Sequence, residues 1–166
     1  MAFVLLLCFV GSLAGSVRRS AAAGVMAVAG TAMVAVKLGS AAAVLAALHT
    51  RDELDEVTAT ALVEQNGAAF VLFWIPFGLF VAAAARVLGE AGHVGRVLGY
   101  AGLVLGSLGT VAGVLGAVWP SYAVPIPFLL SLIWVVAVSV RLAAGRSVDR
   151  GAGRRGARHT GAPVTA

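Results

Sequence analysis

Residues 97–140 read VLGYAGLVLGSLGTVAGVLGAVWPSYAVPIPFLLSLIWVVAVSV, with no charged side chain anywhere in the run. A helix needs about 20 apolar residues to cross a hydrocarbon core of about 30 Å, so this stretch suffices for two spans. Trp119-Pro120-Ser121-Tyr122 and Pro125-Ile126-Pro127 divide it. Proline suits the first turn of a helix and not its interior. The pattern predicts a helix over 96–119, a tight turn, and a second helix over 126–142.

Upstream, the charge-free run that ends at Arg86 predicts a span over 66–86. Ser20–Val36 is charge-free, then Lys37 interrupts an apolar stretch that continues to His49, which predicts a span over 20–48. Met1–Val17 is apolar as well, but Arg18-Arg19 cut it short of an upright span. It is read as a short helix over 2–17. A cleaved signal at Ser12-Leu13-Ala14 is the alternative, although the basic pair follows the apolar run and does not precede it, and a wrongly assigned start is a third reading.

Composition points the same way. Of 166 residues, 60% are hydrophobic and 11% charged, against roughly a quarter charged in a globular domain. That is too few charges to cover a soluble surface. The expected fold class is all-α: a polytopic membrane helix bundle over 1–142, with four transmembrane helices and a short apolar N-terminal helix. Residues 143–166, rich in Arg and Gly and almost without apolar bulk, are expected to form a disordered tail.

The few charges also carry an orientation. Arg141 onward holds six Arg and one Asp, whereas Arg51–Glu64 holds one Arg and five acids. Lys and Arg in the successive connections and the tail number 2, 1, 2, 0 and 6. By the positive-inside rule this places the N-terminus outside and the tail in the cytoplasm of a multi-pass cell (plasma) membrane protein. Arg146, Arg150, Arg154, Arg155 and Arg158 are then expected to meet anionic headgroups of the lipid bilayer. No aromatics are interleaved among them to stack bases, so no nucleic-acid partner is expected.

The clearest local pattern is Gly95, Gly99, Gly102, Gly106, Gly109, Gly113 and Gly116, spaced alternately by four and three. This is a heptad seam of glycine, and three heptads drift little enough to keep one stripe. Small residues let helix backbones approach closely, which supplies packing where lipid leaves little hydrophobic drive. The partner is read as an internal helix, either 20–48 (Ala23, Gly24, Ala27, Gly30) or 66–86. A second copy of the chain, or another membrane subunit, is the alternative.

Three residues are candidates for function. Lys37 is the one ionisable side chain well inside an apolar stretch, and such residues default to functional hypotheses. Eighteen residues beyond Arg19, about 27 Å along the helix, it is expected near the outer boundary, its ammonium reaching headgroups. Glu64 is its natural ion-pair partner if it is buried instead. Pro76 interrupts the stripe Phe70, Phe73, Trp74, Phe77 and Phe80 and frees the Leu72 carbonyl, as in kinked helices that line cavities.

Residues 50–65 read as an outer acidic surface helix, with Thr50 as cap and Glu53 in the capping-box position. A metal site from His49, Asp52, Glu53 and Glu56 is the alternative there, without an HExxH or DxDxDG pattern to support it. The lone Cys8 makes no internal disulfide. No GxSxG, P-loop or paired intramembrane carboxylates occur, so no enzyme, cofactor or metal is expected. The sequence therefore favours a structural or partner-binding membrane subunit that packs through its glycine seam. The alternative is a small oligomeric transporter or channel built on Pro76 and Lys37.

Overall fold

A computed structural model describes residues 20–50, 54–119 and 125–159, with side chains for 20–50, 54–119, 125–142 and 144. It is helical throughout, with no strand among the described residues. The helices are α1 (Ala21–His49), α2 (Glu56–Glu90), α3 (Arg96–Val118) and α4 (Ile126–His159). The first three are long and apolar enough to cross a membrane, and the apolar part of α4, Ile126–Leu142, is shorter. The 2–17 helix and the Trp119–Pro125 turn fall largely outside the described residues.

Local chemistry sets the ends. Ser20 caps α1 by accepting a hydrogen bond from the Ala23 amide at 3.2 Å. Thr50 closes α1, its backbone N–H and its hydroxyl both donating to the Ala46 carbonyl. The expected start of a helix at Thr50 is thus replaced by an end. Asp55 takes the capping role, accepting from the Thr58 amide at 2.8 Å, and Glu53 lies outside the described residues. Gly92, at φ +70, makes the turn from α2 into α3, where the His93 amide donates back to the Leu88 carbonyl. Only glycine adopts that backbone without strain.

Two boundaries differ from the sequence expectation. Residues 56–65 are no separate surface helix, because α2 runs unbroken from Glu56 to Glu90, through Pro76. Nothing between Glu64 and Phe70 stops a helix already nucleated on both sides. Beyond Leu142, where composition predicts disorder, the backbone of α4 stays helical to His159. Arg and Ala favour a helix and an existing helix extends without a new nucleus, against the cost of Gly145, Gly151, Gly153 and Gly156.

In packing, α2 is central. It contacts α1, α3 and α4, and α3 also contacts α4, but among the described elements α1 packs only on α2. Of the glycine seam, Gly99, Gly102, Gly106, Gly109, Gly113 and Gly116 are buried, and Gly95 is exposed as the N-cap of α3. The elements that meet these glycines are α2 and α4 of the same chain. A Cβ on Gly106 would stand 2.5 Å from the Ala82 amide nitrogen, and one on Gly78 would stand 2.5 Å from the Gly106 carbonyl oxygen. At this crossing backbone lies on backbone. On Gly113 a Cβ would come within 2.9 Å of Ile75, whereas Gly99 and Gly109 leave ordinary contact distances.

Gly102 serves α4. The Trp134 indole occupies the space a Cβ there would need, with two ring carbons 2.5 Å from that position. Its Nε1 donates to the Leu98 carbonyl at 2.7 Å. Leu98 is one helical turn before Gly102, so one missing side chain gives the ring both its seat and its acceptor. The core continues through Met26 and Met33 of α1, fully buried against Phe77, Phe80 and Val81 of α2.

Gly78→Ala and Gly106→Ala should each cost about 1–3 kcal/mol or more, because backbone cannot move aside as a flexible side chain can. Gly67→Ala, where nothing lies within 4 Å, should be neutral or gain up to about 1 kcal/mol of helix propensity. Unfolding midpoints in detergent separate these outcomes. Trp134→Phe loses the bond to Leu98, for about 1 kcal/mol, and part of the indole that fills the Gly102 seat as well, so it should cost more than that bond alone.

The Asp55 carboxyl is held below its ordinary range by the side chain and backbone of Thr58. Its cap is therefore present above the unfolded carboxyl pKa of about 3.9 and is lost as pH falls through the lower folded value. The protection factors of the Thr58 and Ala59 amides, taken relative to intrinsic exchange at each pH, should fall on acidification in the wild type, but not in Asp55→Asn.

Candidate functional site around Lys37

Phe70, Phe73, Trp74 and Phe77 follow one another at helical spacing and so share one face of α2. Phe128, one turn into α4, fills the middle of that face. Its ring centroid lies 5.2 Å from Phe77 and 5.6 Å from Phe70 in edge arrangements, and 5.8 Å from Trp74 in a stack. Phe73 and Phe77 stack on each other at 5.7 Å. Phe80, the last member of the sequence stripe, lies one turn further along and packs in a narrow crevice with Trp134 and Val138. Trp74 is buried, and its indole N–H has no hydrogen-bond partner.

Lys37 reaches this platform from α1. Its Nζ stands over two rings, 4.8 Å from the Phe70 centroid and 4.9 Å from that of Phe73. The side chain is half-buried. The expectation of an ammonium extended to headgroups is therefore replaced by one drawn back onto phenyl faces, whose negative quadrupoles attract a cation. Glu64 is exposed and makes no ion pair with it. One turn further along α1, the buried Ser40 hydroxyl donates to Asn66 Oδ1 at 2.5 Å. The half of the α1–α2 interface nearer His49 thus carries two polar rungs, Lys37 on its rings and Ser40 on Asn66.

Other polar side chains of the bundle turn to their own helix. The hydroxyls of Thr31, Thr110, Ser131 and Ser139 each donate to the carbonyl four residues back. The ion pair between Arg86 and Glu90, at 2.9 Å, is exposed at the opposite end of α2.

The histidines are far apart. His49 ends α1 and bonds to the Leu45 carbonyl, while His93 lies in the α2–α3 turn. Among the described residues no three His, Cys, Asp or Glu side chains gather to hold a metal, and Asp52 and Glu53 lie outside them. A cavity of about 620 Å³ lies between α1, α2 and α3 at the Arg86 end. A second, about 360 Å³, adjoins it, and neither Lys37 nor Ser107 lines either one. The tail arginines from Arg146 to Arg158 lie on the helical extension of α4, beyond the described side chains.

Sequence reasoning singled out Lys37 and the α2 aromatics, but not Phe128 or the Ser40–Asn66 pair. Phe128 directly follows Pro127 in the first turn of a helix, a place where an aromatic gives no periodic signal. Comparison with known proteins adds no relative: no family, curated protein or solved structure matches the chain.

Lys37→Met should cost about 0.5–2 kcal/mol, the range for a cation on aromatic faces. Lys37→Glu should cost more, since an anion is repelled by the same faces. Denaturation of both variants in detergent checks the order, and an equal loss would contradict the ring contact.

Proposed function

We propose that the chain is a multi-pass protein of the cell membrane that acts as a structural or partner-binding subunit, with no catalytic centre. In this reading α4 is the fourth span, the Lys37 rung lies towards the outside, and the arginine-rich end of α4 is cytoplasmic. The observation that carries it is the backbone contact of α2 with α3 at Gly78 and Gly106. A crossing at this distance leaves no path for water or substrate between these two helices, and it uses the glycine seam inside the chain. A partner then meets other surfaces. The best candidate is α1, which among the described elements packs only on α2 and leaves Val28, Leu38, Leu45 and Leu48 exposed.

The transport reading keeps some support from the half-buried Lys37 and the unpartnered Trp74 indole. Native purification in mild detergent, with identification of copurifying chains and of the oligomer mass, distinguishes the two. A stable hetero-complex lost on Leu45→Arg supports the subunit reading. Solute flux in proteoliposomes abolished by Lys37→Met overturns it. A reporter fused after Ala166 should be active only in its cytoplasmic form, and activity only outside would reverse the orientation.

A further inference from the structure

We infer that the Arg86 end of the bundle holds an anionic phospholipid in a built groove, an inference that rests on the membrane reading above. Because α1 and α3 both pack on α2 and not on each other, a channel is left between them. Its floor and walls are Val25 of α1, Leu79, Ala82 and Ala83 of α2, and Leu103 of α3. It spans about 620 Å³ and is lined at one end by Arg86 and Glu90. The adjoining cavity of about 360 Å³ shares Arg86, Glu90 and Leu103 with it and adds Arg96 and Tyr100. The two cavities meet at these shared residues, where the charged side chains stand, and the first is apolar from Val25 to Leu79 and Ala83.

That division suits a lipid, with a charged headgroup at one end and chains along the other. From Glu90 back to Leu79 the floor runs eleven residues of helix, about 16 Å, which is the scale of an acyl chain lying in one leaflet. At the mouth stand two arginines against one carboxylate. Arg86 already gives its Nε to Glu90, while Arg96 is exposed with no ion pair among the described residues. Arg141 adds a third cation nearby, its guanidinium 4.0 Å from the Cβ position of Gly95. The surplus positive charge selects an anionic headgroup over a zwitterionic one, and basic pockets between membrane helices bind such headgroups. Tyr100, exposed at the same level, suits the headgroup layer with its ring in the apolar part and its hydroxyl at the polar edge.

The test uses the full chain, purified in neutral detergent and stripped of lipid. Native mass spectrometry and thermal unfolding are followed with dioleoyl phosphatidylglycerol, dioleoyl phosphatidylcholine or glycerol phosphate. Phosphatidylglycerol should bind at least tenfold more tightly than phosphatidylcholine, and glycerol phosphate, which has no chains, should not bind at the same concentration.

Arg96→Gln should weaken phosphatidylglycerol about fivefold, the equivalent of about 1 kcal/mol for one basic residue at a headgroup. Glu90→Gln should strengthen it. Val25→Trp, at a half-exposed position that fills the groove, should weaken both lipids alike. Equal affinity for the two lipids, a preference unchanged in Arg96→Gln, or glycerol phosphate binding as well as the lipid would overturn the proposal. A chain extracted from membranes by carbonate would instead overturn the membrane reading itself.

Discussion

The bundle depends on one contact, the backbone of α2 laid on the backbone of α3 where Gly78 meets Gly106. In lipid an apolar side chain gains little by leaving its surroundings for a neighbouring helix, so association must come from dispersion and shape. Dispersion falls off steeply with distance, and two helices without Cβ atoms at their crossing bring the most atoms within range. The geometry is unforgiving, since a single methyl at either glycine meets main-chain nitrogen or oxygen at 2.5 Å. The seam therefore fixes depth as well as direction.

A second use of glycine depends on the first. Once α3 is held against α2, its Gly102 presents a bare stretch of backbone to α4, and the Trp134 ring covers it. Indole is large, and its N–H must find an acceptor when buried. The Leu98 carbonyl already belongs to the helical ladder of α3 and has a second lone pair to offer. The ring thus adds a directional bond to a contact otherwise made by shape alone. By contrast, α1 has no such lock. It is held by two methionines, which adapt to irregular surfaces, and by the Lys37 and Ser40 rungs.

Much of the helical layout could be read from the sequence, because charge-free runs and prolines are local signals. The 4,3 spacing of glycines likewise located the tight face of α3. Its partner was not legible. Gly78 carries no periodic mark of its own, sitting among Phe77, Leu79 and Phe80, and the candidate face of α1 has as many small residues. The start of α2 was misplaced because Thr50 and Asp55 are both good capping residues, and propensity does not say which one ends a helix and which begins one. The fate of the Lys37 ammonium was also hidden. Its distance along α1 is arithmetic, but its lateral partner depends on which face of α2 turns towards it, and that follows from the seam.

The groove at the Arg86 end follows from the same constraint. On one side of the α2–α3 pair α4 touches both helices, whereas α1 packs on α2 and not on α3. With α3 drawn onto α2 at glycine distance, the flank of α3 that carries Leu103 comes down beside Leu79 and Ala82, and α1 meets α2 on the far side of that ridge. The void between them cannot be closed by α1 without losing Met26 and Met33 from the core. In water such an apolar trough would be a liability, whereas in a bilayer chains of the right length are present in excess. The side of the tight crossing that α4 does not close is thus where the bundle leaves room for lipid.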